Sequence, residues 1–136
     1  MKRDLELFRD MMLMIELTER RPIEGSPWQS LGVEGRSHSD VLYHARMLLE
    51  QGYLYEDACN FQAGDGDGVS VFKFRADAMT NAGHEFLESV RDPEVWRKTK
   101  NRAEKIGSFS IDLVSALAKG LIKKKVRDYT EVEIDL

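Results

Sequence analysis

The chain has 136 residues, which is too short for two typical domains. Its hydrophobic content of 42% suffices for one compact core and excludes wholesale disorder. Its charge is unevenly distributed: residues 1–90 hold 9 basic and 16 acidic residues, residues 91–127 hold 11 and 4, and residues 128–136 hold none and 4. This asymmetry predicts one basic surface on an otherwise acidic protein, so any contact with nucleic acid must come from a local patch.

The first element predicted is an amphipathic helix over residues 2–20. The apolar residues that line one of its faces at three- and four-residue spacing are Leu5, Phe8, Met12 and Ile15. Pro22 ends the helix, because the residue before a proline disfavours helical geometry. Residues 22–37 contain five glycines and prolines, which is too many for a helix of ordinary length and leaves room only for a short strand at Trp28–Val33.

The clearest element is a helix over Ser39–Gly52, with Ser37 or Ser39 as its N-cap and Asp40 in its first turn. Its apolar stripe comprises Val41, Leu42, Ala45, Leu48 and Leu49. Gly52 closes it in a left-handed conformation. Strands over Tyr53–Gln62 and Val69–Arg75, joined by a glycine-rich turn, then form a hairpin. Helix, glycine closure and two-stranded ribbon is the order of a winged helix.

The remainder of the chain predicts helices. Thr80 caps the first of them, Asp92-Pro93 breaks it, and a basic helix continues through Lys105. Gly107-Ser108 is a hinge before a final helix with one apolar face. We therefore expect an α+β, winged-helix-like domain over residues 1–106, a C-terminal helix over 107–127 that could pair two copies, and an acidic tail or short strand over 128–136.

The helix before the ribbon is the best candidate for contacting DNA, since in winged-helix proteins this helix enters the major groove. The residues expected to face outward at or near it are Arg36, His38, Ser39, Tyr43 and Arg46. Phosphate contacts are expected from Lys73 and Arg75 on the returning strand and from Arg97, Lys98 and Arg102 in the basic helix.

Two features weigh against DNA reading and keep a second interpretation open. Residues 22–37 have little room for the bracing helix of a helix-turn-helix, and Asp65 and Asp67 at the ribbon's tip would repel phosphate. The alternative is that the same helix is core or a protein-contact surface. For the basic residues after position 90 the alternative is a solvated face, because those between Arg97 and Lys105 cover more than one side of a helix.

No catalytic or metal motif is evident. The three histidines and Cys59 lack the spacing of a zinc site, and no nucleophile has an obvious base. We therefore expect neither an enzyme nor a bound cofactor or metal. The single cysteine allows no intrachain disulfide, and neither a signal sequence nor a membrane-spanning run is recognisable, so a cytoplasmic location is expected.

Three segments together resemble a family of small bacterial and prophage proteins known only as a domain of unknown function. They are the start at Met1–Leu7, the segment Tyr43–Leu54 with its Tyr-His-x-x-x-Leu-Leu motif, and the segment Thr80–Trp96 with its Gly-His-Glu-Phe-Leu motif. The Leu-Leu-x-x-Gly-Tyr-Leu segment also resembles the junction between recognition helix and wing in arsenic-responsive and multidrug-responsive repressors. The resemblance implies a winged-helix fold and phage-associated regulation, and it supplies no catalytic or ligand residues.

The leading hypothesis is thus a non-enzymatic protein of phage or prophage origin that binds double-stranded DNA or modulates transcription. The alternative is a protein-interaction module, an adaptor or an inhibitor of a host factor, that has lost DNA binding.

Overall fold

In the described part of the chain the strands lie between Trp28 and Arg75, and every element from Asn81 onward is a helix. A computed structural model describes residues 3–20, 27–63 and 70–134. The elements are α1 (Leu5–Arg20), β1 (Trp28–Ser30), α2 (His38–Glu50), a 3₁₀ turn (Glu56–Ala58), β2 (Cys59–Ala63), β3 (Ser70–Arg75), α3 (Asn81–Val90), α4 (Pro93–Ile106) and α5 (Ile111–Ile134). The α+β class predicted from the sequence is confirmed.

The chain divides into two compact units, an N-terminal unit (Met1–Leu87) and a C-terminal unit (Glu88–Leu136). This division differs from the boundary expected at residue 106. The reason is that α4 packs on α5, so the basic helix belongs with the C-terminal helix rather than with the winged-helix-like part.

The N-terminal unit is built on a three-stranded antiparallel sheet in the order β1-β3-β2. Trp28 of β1 lies opposite Arg75 of β3, and Cys59 of β2 lies opposite Phe74. Helix α2 packs on β3 and α1 packs on α2. The order helix, strand, helix and two-stranded ribbon is winged-helix-like.

Helix α2 forms where the capping residues predict it. The Ser37 hydroxyl accepts a hydrogen bond from the amide of Asp40 at 3.1 Å, so Ser37 is the N-cap. Gly52 has φ +77°, as expected for the glycine after a helix. Within the described residues 27–37 there is no helix, so the bracing position against α2 is taken by α1.

The start of one predicted strand is wrong. Residues 53–58 do not begin the ribbon: Leu54 forms an isolated bridge with Met79, and a 3₁₀ turn follows before β2 starts at Cys59. Leu54 is 3% exposed and Tyr55 is 50% exposed, so residue types that favour strands occur here outside a β-ladder. The predicted turn, with Asp65 and Asp67, lies outside the described residues.

The core of the N-terminal unit joins α1, α2 and β3. Its large, fully buried side chains include Phe8, Met11, Met12, Ile15, Leu48, Phe72 and Phe74. These residues lie at helical spacing in α1 and at alternate positions in β3, so each element buries one face against the others.

The C-terminal unit is a pair of helices with well-defined ends. The Asp92 carboxylate accepts hydrogen bonds from the amides of Glu94 and Val95 and caps α4, and Gly107 at φ +82° ends it. Ser110 then caps α5 by accepting from the Leu113 amide. The expectation of a tail or strand over 128–136 is wrong where the structure describes it, because α5 continues to Ile134. No glycine or proline interrupts residues 121–134. Extending an existing helix costs much less free energy than nucleating a new one, because each added residue gains a hydrogen bond.

Candidate nucleic-acid interface

Arg36 is engaged in holding the fold together. Its guanidinium lies 2.6 Å from the Asp4 carboxylate, which also accepts hydrogen bonds from the amides of Glu6 and Leu7 and so caps α1. Partial burial acts to raise the pKa of Asp4, but the hydrogen bond and charge of Arg36, with those two amides, outweigh it and leave the pKa below its ordinary value. Of the residues predicted to read DNA, Arg36 is therefore the one with an evident structural role.

His44 completes this cluster from α2. It is 1% exposed, its Nε2 accepts a hydrogen bond from the Asp4 amide at 2.8 Å, and its Nδ1 lies 2.7 Å from the Asp40 carbonyl. Because a backbone amide can only donate and a carbonyl can only accept, the geometry assigns the ring proton to Nδ1. The ring also meets Phe8 and Tyr43 edge-on. His44 is thus a structural histidine between α1 and α2.

The other α2 candidates differ in what they offer a partner. His38, Ser39 and Arg46 are exposed, whereas Tyr43 is half-buried against the His44 ring. The Arg46 guanidinium lies over the Phe61 ring of β2, 5.0 Å from its centroid. Helix α2 thus presents one exposed arginine, Arg46, and the exposed Glu50 on the same helix opposes its charge. A single arginine attracts the DNA backbone only weakly.

Strand β3 contributes little positive charge that is available to DNA phosphates. Arg75 hydrogen-bonds Asp77 through two nitrogens, at 3.1 and 3.3 Å, and its guanidinium lies over the Trp28 ring. Lys73 is half-buried on β3. The candidate contacts of the N-terminal unit therefore do not combine into a basic surface.

The C-terminal unit does gather cations. Lys98 and Arg102, both predicted phosphate contacts, line one cleft between α4 and α5 together with three further cations. We call this the basic cleft; its lining residues are Glu94, Val95, Lys98, Asn101, Arg102, Lys105, Leu121, Lys124, Lys125 and Asp128. Arg97, the remaining candidate, is exposed outside it.

Two of the five cations in the basic cleft are already paired. Lys98 lies 3.1 Å from Glu94, and Lys125 lies 2.8 Å from the Asp92 carboxylate. The hydrogen bond from Lys125, together with the capped amides, holds the pKa of Asp92 below its ordinary value. Within the part of the chain that the structure describes, the other three cations form no ion pair; they are Arg102, Lys105 and Lys124.

The sequence contains the signal that would have found this cleft. Lys98, Arg102 and Lys105 follow the i, i+4, i+7 spacing of one helix face, and Leu121, Lys124 and Asp128 follow a similar spacing on α5. The other basic residues of α4 point elsewhere: Lys100, for example, lies over the Trp96 ring at 5.6 Å. The cations cover several faces, as the sequence indicated, but one of those faces is shared with α5.

Cys59 and the potential metal ligands form neither a reactive nor a metal-binding site among the described residues. Burial raises the pKa of Cys59 to about 12, and the nearby charge of Asp57 adds to the effect, so the thiol stays protonated at neutral pH. Among the residues described, no three His, Cys, Asp or Glu side chains lie together as a metal site would require. None of the helices in the described part of the chain is both long and apolar enough to cross a membrane.

Comparisons with known proteins confirm the expected family of unknown function, and the prophage origin stays a prediction. The model of a family described as "Hypothetical protein (DUF2513)" matches residues 2–110. A protein described as uncharacterized, from Haemophilus influenzae (strain ATCC 51907 / DSM 11121 / KW20 / Rd), is 26% identical over 125 residues, which cover 91% of this chain and 98% of that protein. No solved structure gives a significant match.

Proposed function

Since the chain belongs to the DUF2513 family, whose description assigns no activity, we propose a function from its surface: the protein binds duplex DNA through the basic cleft of α4 and α5. The observation that carries the proposal is the cluster of Arg102, Lys105 and Lys124 in one cleft, where none of the three forms an ion pair with a residue that the structure describes. The role is non-enzymatic, with DNA binding serving to modulate transcription.

Electrostatics favours a phosphate backbone as the occupant of this cleft. Five cations and two carboxylates line it, in the one segment of the chain where basic residues predominate. A concave surface of one sign attracts the opposite charge more strongly than scattered residues do. Asn101, also in the lining, adds an amide that can donate to phosphate oxygen.

DNA contacts through the N-terminal unit would use Arg36, which precedes α2, and Arg75 of β3. Both are paired, with Asp4 and Asp77, so those ion pairs would have to break. Arg102, Lys105 and Lys124 of the basic cleft need no such rearrangement. Three phosphate contacts predict a plot of log affinity against log salt concentration with a slope of about −3.

Fluorescence anisotropy with a labelled duplex of about 30 base pairs, titrated between about 50 and 200 mM salt, tests this. The variant R102E/K124E should weaken binding by at least about tenfold and reduce the salt slope by about 2. The matched control R46E, a charge reversal on the exposed side of α2, should change affinity less than about twofold. Equal loss in both variants, or binding by neither the wild type nor the control, would overturn the proposal.

A second function is favoured by a separate groove between α2 and β2. Leu49, Leu54 and Phe61 give it an apolar floor, and Glu50 and Glu56 give it an acidic rim. Such a surface suits a basic, apolar segment of a protein partner, as expected of an adaptor or an inhibitor. Affinity purification from the native host that recovers one stoichiometric protein, lost with L49E and retained with R102E/K124E, would favour this function over DNA binding.

A further inference from the structure

The last helix is longer than the surface on which it packs. Helix α5 has 24 residues and α4 has 14, which correspond to lengths of about 36 and 21 Å. Among the side chains of α5 that the structure describes, residues 111–130, the buried ones lie in the first half of the helix, at Ile111, Val114, Ala118 and Leu121. From Lys123 to Thr130 every residue is exposed, so within the described side chains the second half of α5 has no buried position.

This exposed half carries an apolar line. Val126 is 59% exposed and Tyr129 is 66% exposed, and the two lie three residues apart on one side of the helix. Ile122, four residues before Val126, extends the line and is half-buried. A helical segment of this length is only marginally stable in water without packing, so a partner for this face would stabilise it.

We infer that the second half of α5, residues 122–134, pairs antiparallel with the same segment of a second copy of this chain. The charge pattern selects this partner. Residues 122–127 hold four bases and no acid, whereas residues 128–134 hold three acids and no base. An antiparallel pair places the basic end of each copy beside the acidic end of the other, and a parallel pair would place like charges together.

A two-fold axis near residues 127 and 128 also brings the apolar residues together. Val126 of one copy then meets Tyr129 of the other, and the reverse contact follows from the symmetry of an isologous interface. The contact spans only about three helical turns, so it is small compared with stable interfaces, and a dissociation constant on the order of 10 µM is expected.

Sedimentation equilibrium of the full chain, between about 5 and 500 µM protein, tests the pairing. The wild type should pass from monomer to dimer across this range. V126D/Y129D should remain monomeric, whereas L17D, at a leucine that is 56% exposed on α1, should associate like the wild type. A wild type that stays monomeric, or equal association of V126D/Y129D, would overturn the inference.

Charge reversal tests the antiparallel arrangement. K123E/R127E leaves two bases against five acids in residues 122–134, and D128K/E131K leaves six bases against one acid. Each variant alone should lose self-association because like charges then face each other, and an equimolar mixture of the two should recover dimers. Wild-type association should weaken by at least about tenfold between 50 mM and 1 M salt. Dimers that persist in either variant alone, or that strengthen with salt, contradict the arrangement. Lys124 and Arg102 are unchanged, so failure here leaves the DNA-binding proposal standing.

Discussion

Replacing His44 with phenylalanine separates its hydrogen bonds from its packing. Phenylalanine keeps an aromatic ring against Phe8 and Tyr43 but can neither accept from the Asp4 amide nor donate to the Asp40 carbonyl. Leaving a buried donor unsatisfied costs about 1–3 kcal/mol, and the Asp4 amide is partly buried, so we expect a loss of about 2 kcal/mol. His44→Leu, which also removes the two ring contacts, should cost about 1 kcal/mol more.

Urea unfolding read by peptide-resolved hydrogen exchange is the suitable assay, because it reports on α1 and α2 separately from α4 and α5. A loss of 2 kcal/mol should lower the urea midpoint of the N-terminal unit by about 1 M and leave the C-terminal unit unchanged. Tyr43→Phe, which keeps the neighbouring ring, is the control and should not shift the midpoint. If His44→Phe unfolds within about 0.2 M of the wild type, the hydrogen bonds to Asp4 and Asp40 do not hold α1 on α2 as argued.

Two further predictions concern positions where the structure reverses an ordinary expectation or sets a pH dependence. Gly83→Ala should destabilise the protein by about 1–3 kcal/mol although alanine favours helices, because its Cβ would collide with the Tyr53 carbonyl oxygen and come within 2.8 Å of Met79 Cγ. Gly120→Ala, with open space around it, should stabilise by about 0.5–1 kcal/mol in the same thermal unfolding assay, and a shared sign would refute the argument. The lowered pKa of Asp4 stabilises the fold above the unfolded-state pKa of about 4, and this contribution is lost as the pH falls through the lower folded-state pKa. The stability difference between wild type and Asp4→Asn should therefore be larger at pH 7 than at pH 3 and remain below about 1 kcal/mol, since the carboxylate is partly exposed; an equal difference at both pH values would contradict it.

Local signals were enough to predict most elements of this fold. Apolar spacing identified α1 and α2. Asp92-Pro93 marked the start of α4, and Gly107 marked its end. The errors arose where a local pattern has two meanings. Tyr53, Leu54 and Tyr55 are residue types that favour strands, but they lie in an irregular segment in which Leu54 is buried and Tyr55 is exposed. The alternation after residue 128 is compatible with the continuation of a helix.

The candidate sites were harder to predict because they depend on contacts between distant residues. Nothing local joins Asp4 to Arg36 or to His44, which lies 40 positions away, so Arg36 resembled a DNA contact when it is an ion-pair partner. The basic cleft required a different inference. Its α4 face is visible as a spacing, but only the packing of α5 shows which lysines join that face.

The long connection between β1 and β3 governs when the N-terminal unit can fold during synthesis. Trp28 pairs with Arg75, so the sheet cannot close until the 55 residues between Arg20 and Arg75 have been made, which takes about 3–10 s on the ribosome. Throughout that interval the Phe8 and Met12 face of α1 has no sheet behind α2 to complete its core. The C-terminal unit has only a short loop between its two helices, so its contacts are local and form fast. The N-terminal helix is therefore the part of the nascent chain that most needs protection from aggregation.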